Sequence, residues 1–211
     1  MMYVVVLANQ KGGVGKSTLT GHLAVEASRS SRGPVVVLDT DPQASSADWW
    51  NAREAQDIAF AAVEDVTGLA AQLKELEAAG FKLAFIDTPP QATDTIQAVV
   101  DCADVVVIPT RPSPHDLRSV GRTVELCENA GVRPLFVING AAQRAKITTE
   151  AVMALSVYGA VCPVIIHQRT DFASSMTDGR SVQELDAESR SAGEVSNLWD
   201  YVSSQLKRVK K

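Results

Sequence analysis

The 211 residues predict a single α/β domain, a mostly parallel twisted sheet with helices on both faces. Three observations lead there. Short apolar runs rich in β-branched residues alternate with longer segments of helical spacing, the order that a parallel sheet with right-handed crossovers requires. The runs are continuously hydrophobic rather than alternating, as strands covered on both faces are. The length, at 45% hydrophobic composition, supplies one well-packed core and would be cramped for two.

Taken in order, the strand candidates are Tyr3–Ala8, Pro34–Leu38, Phe81–Ile86, Val105–Ile108, Leu135–Ile138 and Val161–Ile166, with a weaker one at Ile58–Val63. Between them, helical spacing with Ala, Leu, Glu and Lys content runs over about 17–30, 66–79, 92–102, 114–130 and 147–158. A last helix spans about 192–209. No internal repeat, low-complexity tract or linker divides residues 1–211.

Formal net charge is -5 with pI ≈ 5.2, so contact with nucleic acid has to come from a local basic patch. Cys102, Cys127 and Cys162 are odd in number and widely spaced, which argues against a disulfide framework or a zinc site and fits a reducing cytoplasm. No basic leader precedes the first strand, and no run reaches the ~20 apolar residues of a spanning helix. The expectation is a protein neither secreted nor membrane-spanning. His22, His115 and His167 lack metal-ligand spacing.

The segment NQKGGVGKST, residues 9–18, joins the first strand to the first helix. There Gly12, Gly13 and Gly15, with Val14 between, let backbone N–H groups converge on phosphate oxygens at the helix N-terminus. Lys16 can reach the β- and γ-phosphates, the Ser17 hydroxyl can ligate magnesium, and Thr18 completes the loop. The pattern G-x-x-x-x-G-K-[ST] would place glycine at position 10, where this chain has Gln10, and a second lysine, Lys11, opens the loop. Carboxylates at strand ends add to this: Asp39 and Asp41 after the second strand, Asp87 after the fourth. Each alone could be a helix cap or a turn residue.

With Lys11 and Lys16 in K-G-G-x-G-K-[ST], the chain resembles the ParA/MinD family of dimerising ATPases, P-loop NTPases with a deviant Walker A motif. The wording NQKGG resembles the ParA branch more than MinD. With no helix-turn-helix ahead of the first strand, the chain is similar to the short partition ATPases. The likeness covers nearly the whole chain and is most specific at 9–18, 38–43 and 85–90. It implies ATP and Mg2+ as cofactors, with Lys11 acting across a nucleotide-sandwich homodimer on the partner's phosphates. Lys11, Lys16 and Asp41 would then be catalytic, Asp41 handling the attacking water. Ser17, Asp39 and Asp87 would form the metal shell, with Asp87 as the Walker B aspartate.

Further along, Asn139 stands where several members read the adenine edge, although Asn139-Gly140 is equally an ordinary turn dipeptide. Gln168 and Arg169 lie in another candidate nucleotide-proximal loop. The resemblance implies non-specific double-stranded DNA as a partner, with Arg144, Lys146, Arg169, Arg180, Lys207, Arg208, Lys210 and Lys211 as candidate contacts. Any of these could instead be a solvated basic helix end. The stripe Val195, Leu198, Trp199, Val202, Leu206 and Val209 is either a core face or a membrane-surface helix. The function implied is an ATP-driven partition or positioning switch on the nucleoid, stimulated by a ParB-like partner, without a membrane role. The alternatives are a MinD-like membrane-cycling regulator, a metabolic enzyme of the same superfamily, and a non-catalytic scaffold.

Overall fold

The computed structural model describes residues 1–30, 33–63 and 65–209, with side chains described up to 206. The strands are β1 (Tyr3–Leu7), β2 (Val35–Asp39), β3 (Ile58–Ala62), β4 (Leu83–Asp87), β5 (Val105–Thr110), β6 (Pro134–Ile138) and β7 (Ala160–Val161). Among the described residues they form one sheet in the order β3-β2-β4-β1-β5-β6-β7, every pairing parallel. The helices are α1 (Lys16–Arg29), α2 (Ser45–Asn51), α3 (Leu69–Ala78), α4 (Thr93–Val100), α5 (Pro114–Ala130), α6 (Lys146–Leu155), α7 (Thr170–Met176), α8 (Val182–Leu185) and α9 (Arg190–Val209).

Because successive strand side chains point to opposite faces, each strand feeds two cores. Val5, Leu7, Val35, Val37, Phe85 and Val107 pack on the side of α1, α2 and α9, whereas Val4, Val6, Val36, Ile86, Ile108 and Phe136 pack on the side of α3 to α6. This explains the uninterrupted hydrophobicity: β2, β4 and β5 are buried at every position, so none of their residues faces water.

The stripe on α9 belongs to the first core. Val195, Leu198, Trp199, Val202 and Leu206 are buried there, Trp199 lies 5.7 Å from the Phe85 ring, and its Nε1–H donates to Ser30 Oγ at 2.9 Å. The side chain of Val209 lies outside the described residues. Cys127 and Cys162 are buried; burial pushes the pKa of the Cys127 thiol up to about 12, so it is an inert apolar filler. Among the described residues no helix is long and apolar enough to cross a membrane.

The expected strand Val161–Ile166 is corrected to the two residues of β7. Pro163 has no N–H to give the ladder, and pairing resumes only at isolated points, through Cys162 N–H to Phe136 O and Ile166 N–H to Ile138 O. Periodicity does not predict the three short helices α2, α7 and α8. Two of them, α2 and α7, border the candidate site.

Candidate functional site

Sheet order creates the site. Because β4 lies between β1 and β2, the last residues of three strands stand level: Leu7 pairs with Asp87, and Asp39 pairs with Asp87. The glycine loop that leaves β1 therefore starts beside Asp87, on which Ser17 and Lys16 act, with Asp39 one strand further on, at the carboxyl edge where parallel sheets take ligands.

The loop is braced from outside. The Asn9 side chain donates to Pro109 O at 2.9 Å and accepts the Lys11 N–H at 2.8 Å. Gln10, in place of glycine, donates its backbone N–H to Thr123 Oγ1 on α5 and its side-chain amide to Thr93 Oγ1 on α4, both at 3.3 Å. Gly15 has φ 94, and an added Cβ would sit 2.2 Å from Asn139 Nδ2, so glycine is required here. Gly15 also caps α1 without any side-chain hydrogen bond, leaving the first N–H groups of a 14-residue helix aimed into the cavity.

That cavity, of about 690 Å³, is lined by Gly12, Gly13, Gly15, Lys16, Ser17, Thr18, Asp41 and Gln43, and continues between α2 and α7 past Trp49 and Met176. Lys16 is largely buried, with Nζ 3.5 Å from Lys11 O. Burial lowers its pKa, and the charges of Asp87 and Asp41 oppose that. Asp87 is fully buried, and burial raises its pKa to about 6 against the Ser17 and Ser46 hydroxyls and the Lys16 charge. Its Oδ2 accepts from Ser46 Oγ at 2.8 Å, while Oδ1 completes no hydrogen bond. An orphaned buried carboxylate oxygen beside a hydroxyl and a phosphate cradle fits a hard divalent cation. Among the described residues no three His, Cys, Asp or Glu cluster as a metal cage, so a cation here would rely on Ser17, Asp87 and phosphate oxygens.

The other expected residues are less alike. Asp39 spends its carboxylate on backbone N–H groups, Oδ1 accepting from Asp41 and Oδ2 from Ser46 and Ala47. It anchors the start of α2, an outer position relative to any metal. Asp41 lines the cavity, its Oδ1 accepting from Gln43 N–H at 3.0 Å. Asn139 donates to Val14 O at 2.6 Å, so it braces the loop whatever else its oxygen reads. With Gln168 it lines a smaller cavity of about 190 Å³ that also meets Gly15 and Thr18. Lys11 is exposed and faces a different cavity from the one holding Lys16.

Of the basic candidates, Arg144 is exposed and Lys146 is exposed beside Glu150 at 3.7 Å. Arg169 is held by both oxygens of Glu194, at 2.6 and 2.8 Å, with its charge matched there, and Arg180 is paired with Asp178. The side chains of Lys207 and Arg208, and Lys210 and Lys211 altogether, lie outside the described residues.

Sequence reading missed Ser46, which bonds Asp87 from α2, and Arg111, which lines both cavities. It also missed three strained loop positions: Ala44, after β2, has φ 54, Gln91, after β4, has φ 61, and Arg144, before α6, has φ 57. Non-glycine residues at positive φ leave no compositional trace.

His22 ties the phosphate helix to α7. Nδ1 donates to Thr18 O at 2.7 Å, leaving Nε2 to accept from Ser175 Oγ at 3.2 Å, and complete burial lowers its pKa to about 4. Its folded pKa lies below the unfolded value, so the unfolded chain binds the extra proton and stability falls as pH drops below 6.5. The expected loss between pH 7 and pH 5 is about 2 kcal/mol from this residue. Asp87 runs the other way, its raised pKa favouring the folded state as it protonates. Urea unfolding of the parent and His22→Gln across this range isolates the histidine: the stability gap between the two should narrow as pH falls, and a constant gap would contradict the assignment.

A glycine loop between the first strand and an uncapped helix, with a buried lysine and an orphaned strand-end aspartate, defines a nucleoside-phosphate-binding protein of the P-loop class. Residues 5–182 match the model of the CobQ/CobB/MinD/ParA nucleotide binding domain, and the chain belongs to that family. It is 29% identical over 205 residues to the maintenance of carboxysome distribution protein A of Halothiobacillus neapolitanus, covering 92% of this chain and 93% of that one. A protein of the same name from Gloeobacter kilaueensis is 38% identical over 123 residues, 57% of this chain and 55% of that one. The fold is similar to that of the septum site-determining protein MinD of Pyrococcus horikoshii, solved with Mg-ADP, with a TM-score of 0.81, 16% identity and 100% coverage of both chains.

Proposed function

We propose that the chain is an ATP-driven positioning switch of the ParA kind. ATP enters the cavity over β1 and β4, and two copies close face to face on the bound nucleotides. The closed dimer holds duplex DNA through phosphate contacts and moves a cargo whose ParB-like adaptor stimulates hydrolysis. The observation that carries this reading is the pair of lysines: Lys16 is buried in the phosphate cavity, whereas Lys11 is exposed and lines a separate cavity beside it. A lysine that does not serve its own cavity is free to serve another copy's. The family match, and a relative named for the maintenance of carboxysome distribution, support positioning as the task.

Within one copy, the loop N–H groups and Lys16 bind phosphate, while Asp41 orients the attacking water from the cavity wall. Mg2+, held by Ser17 and by Asp87 through its open oxygen, would supply charge neutralisation to the phosphate oxygens. Loss of the γ-phosphate releases the strained loops at Ala44 and Gln91, and with them the dimer. The burial of the α9 stripe favours this reading over a membrane-seated tail.

Lys11→Ala tests it. Nucleotide affinity should stay within about twofold, while hydrolysis falls by roughly 10²- to 10³-fold and ATP-dependent dimerisation disappears in sedimentation. Parental hydrolysis in this variant would remove the trans role. For DNA, gel shifts at low salt with ATP and magnesium should show duplex binding that Arg144→Gln with Lys146→Gln weakens equally across sequences. An absence of any shift in the parent protein removes DNA from the cycle.

A further inference from the structure

The cavity that Lys11 lines has about 580 Å³ and is formed from four elements: the start of the phosphate loop, the strained turn after β4, Thr93 at the start of α4, and one face of α5. Arg118 and Arg122 stand one helical turn apart on α5, with His115 at its start. Lys11, Arg118 and Arg122 are all exposed, and none makes an ion pair among the described residues. Among the described residues no carboxylate lines the cavity. Three unmatched cations around one concavity, on a chain of formal charge -5, form a concentrated positive site on an otherwise acidic protein.

The shape selects among anions. A duplex offers its phosphates along a convex rail that lies over a surface, whereas carboxylates on an extended chain can enter a recess. Arginine forks bind carboxylates with two parallel hydrogen bonds. The remaining lining includes the amides of Gln10 and Gln91 and the hydroxyl of Ser119, which suit the backbone N–H and C=O groups of a peptide. We propose that this cavity receives an acidic segment of a partner protein.

Its position gives such a segment leverage on the phosphate loop. Gln10 lines the cavity and already bonds Thr93 on α4 and Thr123 on α5. Gln91, at φ 61, lines it from the loop that follows Asp87. An occupant therefore touches both ends of the machinery around Asp87 and biases whichever arrangement it fits better. This consequence rests on the switch reading above; the binding itself does not.

The probe is a fluorescently labelled oligoglutamate peptide, followed by anisotropy with the full chain at low salt. The parent should bind it saturably and should not bind oligolysine. Arg118→Gln with Arg122→Gln should weaken binding by about tenfold or more, whereas Arg144→Gln with Lys146→Gln, which removes two cations outside the cavity, should leave it unchanged. Basal hydrolysis should be unaltered in the Arg118→Gln, Arg122→Gln variant, and circular dichroism checks that it is folded. Failure of the parent to bind, or equal affinity in that double variant, overturns the proposal. So does displacement by inorganic phosphate at matched charge concentration, which would mark a small-anion site, or loss of duplex binding in the same variant, which would assign the arginines to DNA. ATP-dependent dimerisation is read in parallel: peptide binding without dimerisation leaves the docking site and removes the switch, and the converse removes only the docking site.

Discussion

Lys16→Ala should abolish productive nucleotide use, lowering hydrolysis by ~10³-fold or more and weakening nucleotide binding with it. The side chain is the buried cation of the phosphate cavity, and it sits in the field of two carboxylates, Asp87 and Asp41, whose charges oppose the lowering of its pKa by burial. Without it, an incoming polyphosphate meets the carboxylates of Asp41 and Asp48 in the lining, and among the described residues the exposed Arg111 is the cation left there. The fold should survive, because alanine is a good residue at the start of α1 and the helix is held by Leu19, Leu23 and the His22 brace. Phosphate release and nucleotide binding, with circular dichroism for integrity, check this. The contrast with Lys11→Ala is the informative one: loss of the buried lysine should lower binding and rate together, loss of the exposed one rate and dimerisation alone. Retention of parental hydrolysis in Lys16→Ala would mean that the cavity over β1 is not the reacting site.

Gly179→Ala should destabilise the protein by about 3 kcal/mol, from a backbone clash together with a left-handed conformation. Gly179 has φ 75, and a Cβ there would lie 2.3 Å from Arg53 N, 2.4 Å from Arg53 Cα and 2.6 Å from Ala52 C. Backbone atoms cannot rotate away as a side chain can, so the end of α2 and the turn before α8 must separate. That turn also holds Arg53: its guanidinium donates to Gly179 O at 2.8 Å, pairs with Glu184 and Asp57 at 2.7 Å, and lies 5.6 Å from the centre of the Trp49 ring. Thermal melting should show a Tm lower by roughly 6–12 °C for a chain of this size. Because α2 also carries Ser46, the partner of Asp87, and Trp49 in the cavity wall, nucleotide affinity should fall in the same variant. An unchanged Tm would show that the two turns separate freely.

The legible parts of the site are those written in consecutive residues. The loop 9–18, the strand-end aspartates and the alternation of strand and helix all leave local patterns, because glycine conformations, lysine reach and strand burial are set by neighbours in the chain. Short elements are not legible. Helix α2 has seven residues and α8 four, too few to repeat a periodic face, and α7 mixes exposed serine with a buried Phe172. Pro163 is plain in the sequence, yet its power to end β7 depends on lying where Phe136 and Ile138 offer ladder partners. Arg169 reads as a free cation until the fold brings Glu194, 25 residues away, against it.

From residue order alone it follows that this chain carries a loop suited to nucleotide phosphates, with two lysines where such loops ordinarily have one, since a contiguous loop encodes its own chemistry. How that chemistry is arranged follows from the folded chain. Inserting β4 between β1 and β2 sets Asp87 level with Leu7 and Asp39, and the hydrogen bonds of Gln10 to α5 and α4 fix the start of the loop, where Lys11 lines a cavity separate from that of Lys16. Both outcomes depend on sheet order and on contacts such as those from Gln10 to residues 83 and 113 positions away, which no local pattern in the chain records.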